Sequence, residues 1–88
     1  GVHTYRMKGS ASLDDVAEAI GLSLPVEEYD TFGGYIFGVL GYIPEDGTTF
    51  LLETAGMQIQ VERVEGHRIL DTVVRYEKTE LQETADKV

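Results

Sequence analysis

The 88-residue sequence contains no cysteine, no tryptophan and only two prolines. Without cysteine there is neither a disulfide nor a thiolate metal site, and the chain is compatible with a reducing compartment. Long apolar runs are also missing. The stretch from Phe32 to Ile43 falls short of the roughly twenty residues that cross a bilayer, and no signal peptide is visible. The most informative scarcity is of positive charge. Seven Lys and Arg stand against 16 Asp and Glu, a net charge of −9, which argues against binding the phosphate backbone of nucleic acid. Between Lys8 and Arg63 there is no basic residue, yet ten acids fall there: Asp14, Asp15, Glu18, Glu27, Glu28, Asp30, Glu45, Asp46, Glu53 and Glu62. One surface is therefore expected to be acidic, either as a solvated face or as a surface for cations or a basic partner. This length makes one domain with moderate burial, to which a partner could add stability.

The chain is organised around Tyr29 to Gly47. Asp30 or Thr31 can cap a helix by accepting from its first free N–H groups. Phe32, Tyr35, Ile36, Val39 and Leu40 then recur at helical spacing. Gly41 sits where a left-handed cap belongs, and Pro44 prevents continuation. Gly34, Gly38 and Gly41 lie three and four apart, so another backbone could approach that side. Propensity conflicts with this pattern. Tyr35, Ile36, Phe37 and Val39 also favour strand, and each interior glycine costs a helix ~1 kcal/mol relative to alanine.

Upstream, Thr4 to Gly9 alternates as a short strand, and Gly1 to His3 reads as a frayed end or a remnant foreign to the domain. Ser12 opens a capping-box-like Ser-x-x-Asp with Asp15. Leu13, Val16, Ala17 and Ile20 form an apolar stripe, and Gly21 ends the helix. Leu22 to Tyr29 is a connection containing Pro25. Downstream of Gly47 the period changes to two. Thr49 to Glu53 is a strand, Ala55-Gly56 a turn, and Met57, Ile59 and Val61 alternate with polar residues. Glu65-Gly66 supplies a hairpin turn, and Arg68 to Tyr76 is a final strand. Three strands with short links predict an antiparallel meander covered on one face by helices. Lys78 to Val88 is a polar tail expected to fray.

Chemistry is sparse. His3 and His67 have no His or Cys at ligand spacing, no nucleophile sits in a recognisable elbow, and Gly33-Gly34 lacks the lysine and spacing of a phosphate loop. Gly33-Gly34 reads either as tight packing at a helix start or as an anion site at that helix N-terminus, which Asp30 would oppose. Hard divalent cations need several oxygen ligands. Three acidic groups are candidates, namely Asp14/Asp15/Glu18, Glu27/Glu28/Asp30 and Glu45/Asp46, and none has the ordered spacing of a calcium loop.

The order of motifs resembles the CorC/HlyC transporter-associated domain. The acid-Thr-x-Gly-Gly run at Asp30 to Gly34 matches. So do Leu-Gly-x-Ile-Pro-x-x-Gly at Leu40 to Gly47, the closing strand pair turning at Gly66 before Arg68-Ile69, and Leu13 to Pro25 upstream. The resemblance covers residues 4 to 76. It implies an α+β fold of two short helices on an antiparallel sheet of about four strands, in the order β-α-α-β-β-β, similar to a part of FAD-binding domains. That kinship is one of fold and carries no FAD or other cofactor with it. It tips Thr31 to Leu40 toward helix. It also implies a domain spanning residues 4–77, the C-terminal module of a hemolysin-like or magnesium and cobalt efflux protein. There it would follow a membrane domain and CBS domains and modulate transport from the cytoplasmic side. No catalytic residue is expected. A ligand or interface site is expected at Asp30, Thr31, Gly33, Gly34 and Tyr35, and a cation site at Glu45 and Asp46. Two roles stand open. In one, the domain is a regulatory module contacting its parent's membrane and CBS domains or a second copy, with Tyr29, Tyr35 and Tyr42 as anchors. In the other it senses a small molecule or divalent cation.

Overall fold

The computed structural model describes residues 2–77; the expected tail from Lys78 to Val88 and Gly1 lie outside them. The elements run β1 (Val2–Lys8), α1 (Leu13–Ile20), α2 (Phe32–Leu40), β2 (Phe50–Thr54), β3 (Met57–Glu65) and β4 (Arg68–Glu77). All strands pair antiparallel in the order β1-β4-β3-β2, and both helices cover one face. The β2–β3–β4 meander was predicted from its turns. The first strand adds itself beside β4, a pairing between opposite ends of the sequence. Val2 and His3, expected to fray, open β1 because they pair with Glu77 and Tyr76.

Local chemistry accounts for each helix. Ser12 caps α1 by accepting from the Asp15 N–H at 3.3 Å, and Gly21 closes it at φ 85°. That left-handed conformation is strained for any residue with a Cβ. Leu13, Val16 and Ile20 are buried, as the stripe predicted. Thr31 caps α2 by accepting from the Gly34 N–H at 3.0 Å, and Gly41 ends it at φ 79°. Phe32, Tyr35 and Ile36 are buried, but Val39 is 42% exposed. Val39 therefore turns away from the core, while Phe37 and Leu40 of the same turn pack against its edge.

The glycines of this helix act differently from the predicted pattern. Close backbone approach occurs at Gly33, where a Cβ would lie 3.1 Å from the Gly9 carbonyl oxygen. At Gly38 a Cβ would collide with the Tyr29 ring, so that glycine makes room for a side chain. Tyr29 in turn packs edge-on against Tyr35, with ring centroids 5.9 Å apart.

On the sheet, Met57, Ile59, Val61, Ile69 and Val74 are buried under the helices. The alternation of β3 breaks after Val61: Arg63 pairs with Asp71 and Val64 with Ile69. This bulge leaves both Glu62 and Arg63 outside and returns Val64 to the core. Thr72, a buried polar residue, donates its hydroxyl to the Met7 carbonyl at 2.8 Å and so fastens β4 to β1. Both hairpins turn through two residues of positive φ, Ala55 (53°) with Gly56 (82°), and Gly66 (59°) with His67 (60°), matching the twist of their strands.

The glycine contacts predict opposite outcomes for two alanine substitutions. A Cβ on Gly9 would run into the Ile69 backbone carbonyl, which cannot rotate away. Gly9→Ala should therefore cost about 2–3 kcal/mol or more in a urea melt. A Cβ on Gly34 meets only the Thr31 hydroxyl at 3.2 Å, and alanine's helix propensity returns ~1 kcal/mol. Gly34→Ala should stay within about 1 kcal/mol of the parent chain, and equal losses for the two variants would contradict this packing.

Candidate functional site

The start of α2 is held by backbone. The Phe32 N–H donates to the Ala11 carbonyl and the Gly33 N–H to the Gly9 carbonyl, each at 2.9 Å. Thr31 takes the next two donors, accepting from Gly34 through its hydroxyl and from Tyr35 through its carbonyl, both at 3.0 Å. In return the Leu13 N–H donates to the Asp30 carbonyl at 2.9 Å, and Ser12 and Thr31 form an isolated antiparallel bridge. The three N–H groups that the first helical residues leave free, those of Phe32, Gly33 and Gly34, are thus occupied, and the Tyr35 N–H makes the first bond within the helix. Of the two readings of Gly33-Gly34, this geometry is tight packing.

Beside that start runs a groove of about 380 Å³, open on one side. The first turns of α2 form one wall with Thr31, Gly33, Gly34 and Phe37. Gly9 and Ser10 contribute from the β1–α1 loop, and Arg68, Ile69 and Leu70 from the start of β4. Three of the five residues predicted as a ligand or interface site therefore come together here. The other two do not line it. Asp30 is exposed and engages through its carbonyl. Tyr35 is 5% exposed, with its hydroxyl 3.1 Å from that of Thr54. Arg68 was legible only as part of the family's closing motif, because nothing local links it to residues more than thirty positions earlier.

The predicted cation pair has a different setting. The Asp46 carboxylate accepts from the Gly66 N–H at 3.1 Å and from the His67 N–H at 3.3 Å. It thereby ties the α2–β2 connection to the β3–β4 turn, a link strengthened by the Gly47 N–H donating to the Val64 carbonyl at 2.8 Å. These two N–H donors hold its pKa below the ordinary 3.8. Glu45 is exposed beside it. Among the described residues no group of three or more His, Asp or Glu side chains is placed to hold a metal ion.

Among the described residues, positive charge is confined to the sheet. Every described Lys and Arg lies on a strand, and exposed pairs join Arg6 to Glu62 (3.7 Å), Lys8 to Asp71 (2.7 Å) and Arg63 to Glu65 (2.8 Å). Glu53 and Glu62 belong to the sheet, so the ten acids do not share one surface. None of these three pairs involves an acid of the helices or their connections. Of the three tyrosines considered as anchors, Tyr35 is buried, Tyr29 is half-buried and only Tyr42 is exposed, at 62%.

A family model described as the transporter associated domain, CorC_HlyC, matches residues 1–78. The chain belongs to this family. It is 33% identical over 73 residues to the magnesium and cobalt efflux protein CorC of Salmonella typhimurium, covering 83% of this chain and 24% of the relative. The CorC_HlyC domain thus spans about a quarter of the length of the curated relatives it matches. Among solved structures, a hemolysin domain from Enterococcus faecalis superposes with a TM-score of 0.74 at 28% identity, covering 85% of this chain and 89% of that one. A CorC_HlyC domain from a Xylella fastidiosa hemolysin, solved in complex with Mg and Mn, shares the fold with a TM-score of 0.67 at 23% identity, covering 85% and 89%. The expected fold of two helices on a four-stranded antiparallel sheet is the one these domains adopt. No helix among the described residues is long and apolar enough to cross a membrane.

Because native hydrogen bonds lower the Asp46 pKa, the unfolded chain takes up that proton first as pH falls. The stability from this contact is complete above the unfolded value of about 4 and is lost as pH drops through the native value. Asp46→Ala should lower the melting temperature at neutral pH and differ less from the parent chain at about pH 2. A difference of the same size at both pH values would show that the carboxylate does not act as this cap.

Proposed function

We propose that the domain is a non-catalytic regulatory module of a membrane transporter for divalent cations such as magnesium or cobalt. It works by contact with other parts of its parent, the membrane and CBS domains on the cytoplasmic side, or with a second copy of itself. The observation that carries this reading is the alignment with only 24% of the length of a magnesium and cobalt efflux protein. A domain of that kind would influence transport through its surfaces. The site chemistry agrees: the groove holds neither a nucleophile with a base nor a free helix terminus, and its one charged group is Arg68. Regulation of this type requires the domain to favour one state of its parent over another.

A second reading is cation sensing at Glu45 and Asp46. It is favoured by the Xylella fastidiosa domain having been solved with Mg and Mn, and it has to contend with the commitment of Asp46 to the hairpin turn. Calorimetry of the domain with magnesium, cobalt and calcium separates the two. Saturable heats lost on Glu45→Gln would favour sensing, and flat heats would favour the contact module.

The regulatory reading is tested in cells that express the intact transporter or a version lacking this domain. Magnesium efflux should persist without the domain, while the internal magnesium level giving half-maximal efflux shifts by about five-fold or more, the low end of ordinary coupling between sites. Superimposable efflux curves would overturn it.

A further inference from the structure

We propose that the groove between the first turns of α2 and the start of β4 docks a short peptide segment in which an apolar side chain stands next to a carboxylate. The inference deepens the regulatory-module reading and rests on it. Eight of the nine residues lining the groove carry no formal charge and the ninth is Arg68, in a chain with 16 acids and a net charge of −9. No acid lines it, so the groove is a locally cationic, mainly apolar strip on an acidic domain. The Arg68 guanidinium is exposed and makes no salt bridge with the described residues, unlike Arg6, Lys8 and Arg63. A free guanidinium presents a planar donor fork suited to a carboxylate. Phe37 and Leu70, both half-buried, supply the apolar contact, and Gly33 and Gly34 leave that wall without side chains.

The same geometry favours a peptide over a free small anion. The α2 donors that could cradle a small anionic group are already bonded to Gly9, Ala11 and Thr31. Arg68 alone then holds the charge, and affinity must come from apolar contact along an open groove. An extended segment supplies such contact, and its backbone keeps the carboxylate and the apolar side chain in register.

The probe is a displayed library of short random peptides selected on the folded 88-residue chain, followed by amide-shift mapping of the best binder. The expected result is enrichment of Asp or Glu beside Leu, Ile or Phe, with shifts centred on Ser10, Gly34 and Arg68. Arg68→Glu should weaken binding about tenfold or more, the scale of a lost charge-assisted hydrogen bond, and a peptide with Lys in place of the acid should recover it. Gly34→Leu, checked for native amide shifts, should block the groove without altering charge. No enrichment, a consensus without acids, or binding indifferent to Arg68→Glu would overturn the proposal. Shifts centred instead on the exposed Val39, Tyr42 and Ile43 would also overturn it while leaving the regulatory module standing, since the efflux assay tests that independently.

Discussion

Everything in this domain depends on an exchange of backbone hydrogen bonds between two loops. Residues 9–13 and 30–33 trade donors and acceptors, Phe32 to Ala11, Gly33 to Gly9 and Leu13 to Asp30. Gly9 also donates to the Leu70 carbonyl at 3.0 Å, so the exchange is anchored on β4. Both helices start from this junction, which sets where their apolar faces meet the sheet. Its geometry needs glycine at Gly9, whose Cα faces the Ile69 carbonyl, and tolerates little more than glycine at Gly33. A buried backbone without such pairing would be costly, and here each helix start supplies partners for the other.

That junction also shapes the functional surface. By consuming the α2 donors it removes the anion site that a glycine-rich helix start would otherwise offer, and leaves beside it a groove whose chemistry rests on apolar contact and one arginine. The confinement of the described basic residues to the sheet gives this groove its character. Acids crowd the helices and connections, whereas the described basic residues lie on strands, most of them neutralised by an acid nearby. Arg68 sits at the boundary, where β4 meets α2.

Legibility followed sequence distance. α1 could be read completely, since Ser12, Gly21 and the stripe from Leu13 to Ile20 all agree with a helix. For α2 local signals conflicted, and tertiary contact decides the matter: Phe32, Tyr35 and Ile36 are buried and its glycines fit against Gly9 and Tyr29. The hairpins were visible in their turns, but the bulge after Val61 and the placement of β1 beside β4 arise from pairing between remote residues. The site divided in the same way. Thr31, Gly33 and Gly34 stood together in one motif, while Gly9, Ser10 and Arg68 reach the groove only through the fold. Asp46 showed itself as an acid in a turn, and its commitment to the Gly66 and His67 N–H groups became visible only once the β3–β4 hairpin was in place.

Native-state hydrogen exchange of the junction amides tests this account most directly. If the exchange between residues 9–13 and 30–33 holds the fold together, the Leu13, Phe32 and Gly33 amides should open only with global unfolding. Their protection would then match that of the paired amides at the centre of β3 and β4. Fast exchange at these three positions while the sheet stays protected would show that the helix starts open independently. The junction would then not be the constraint on which the groove and the helix packing depend.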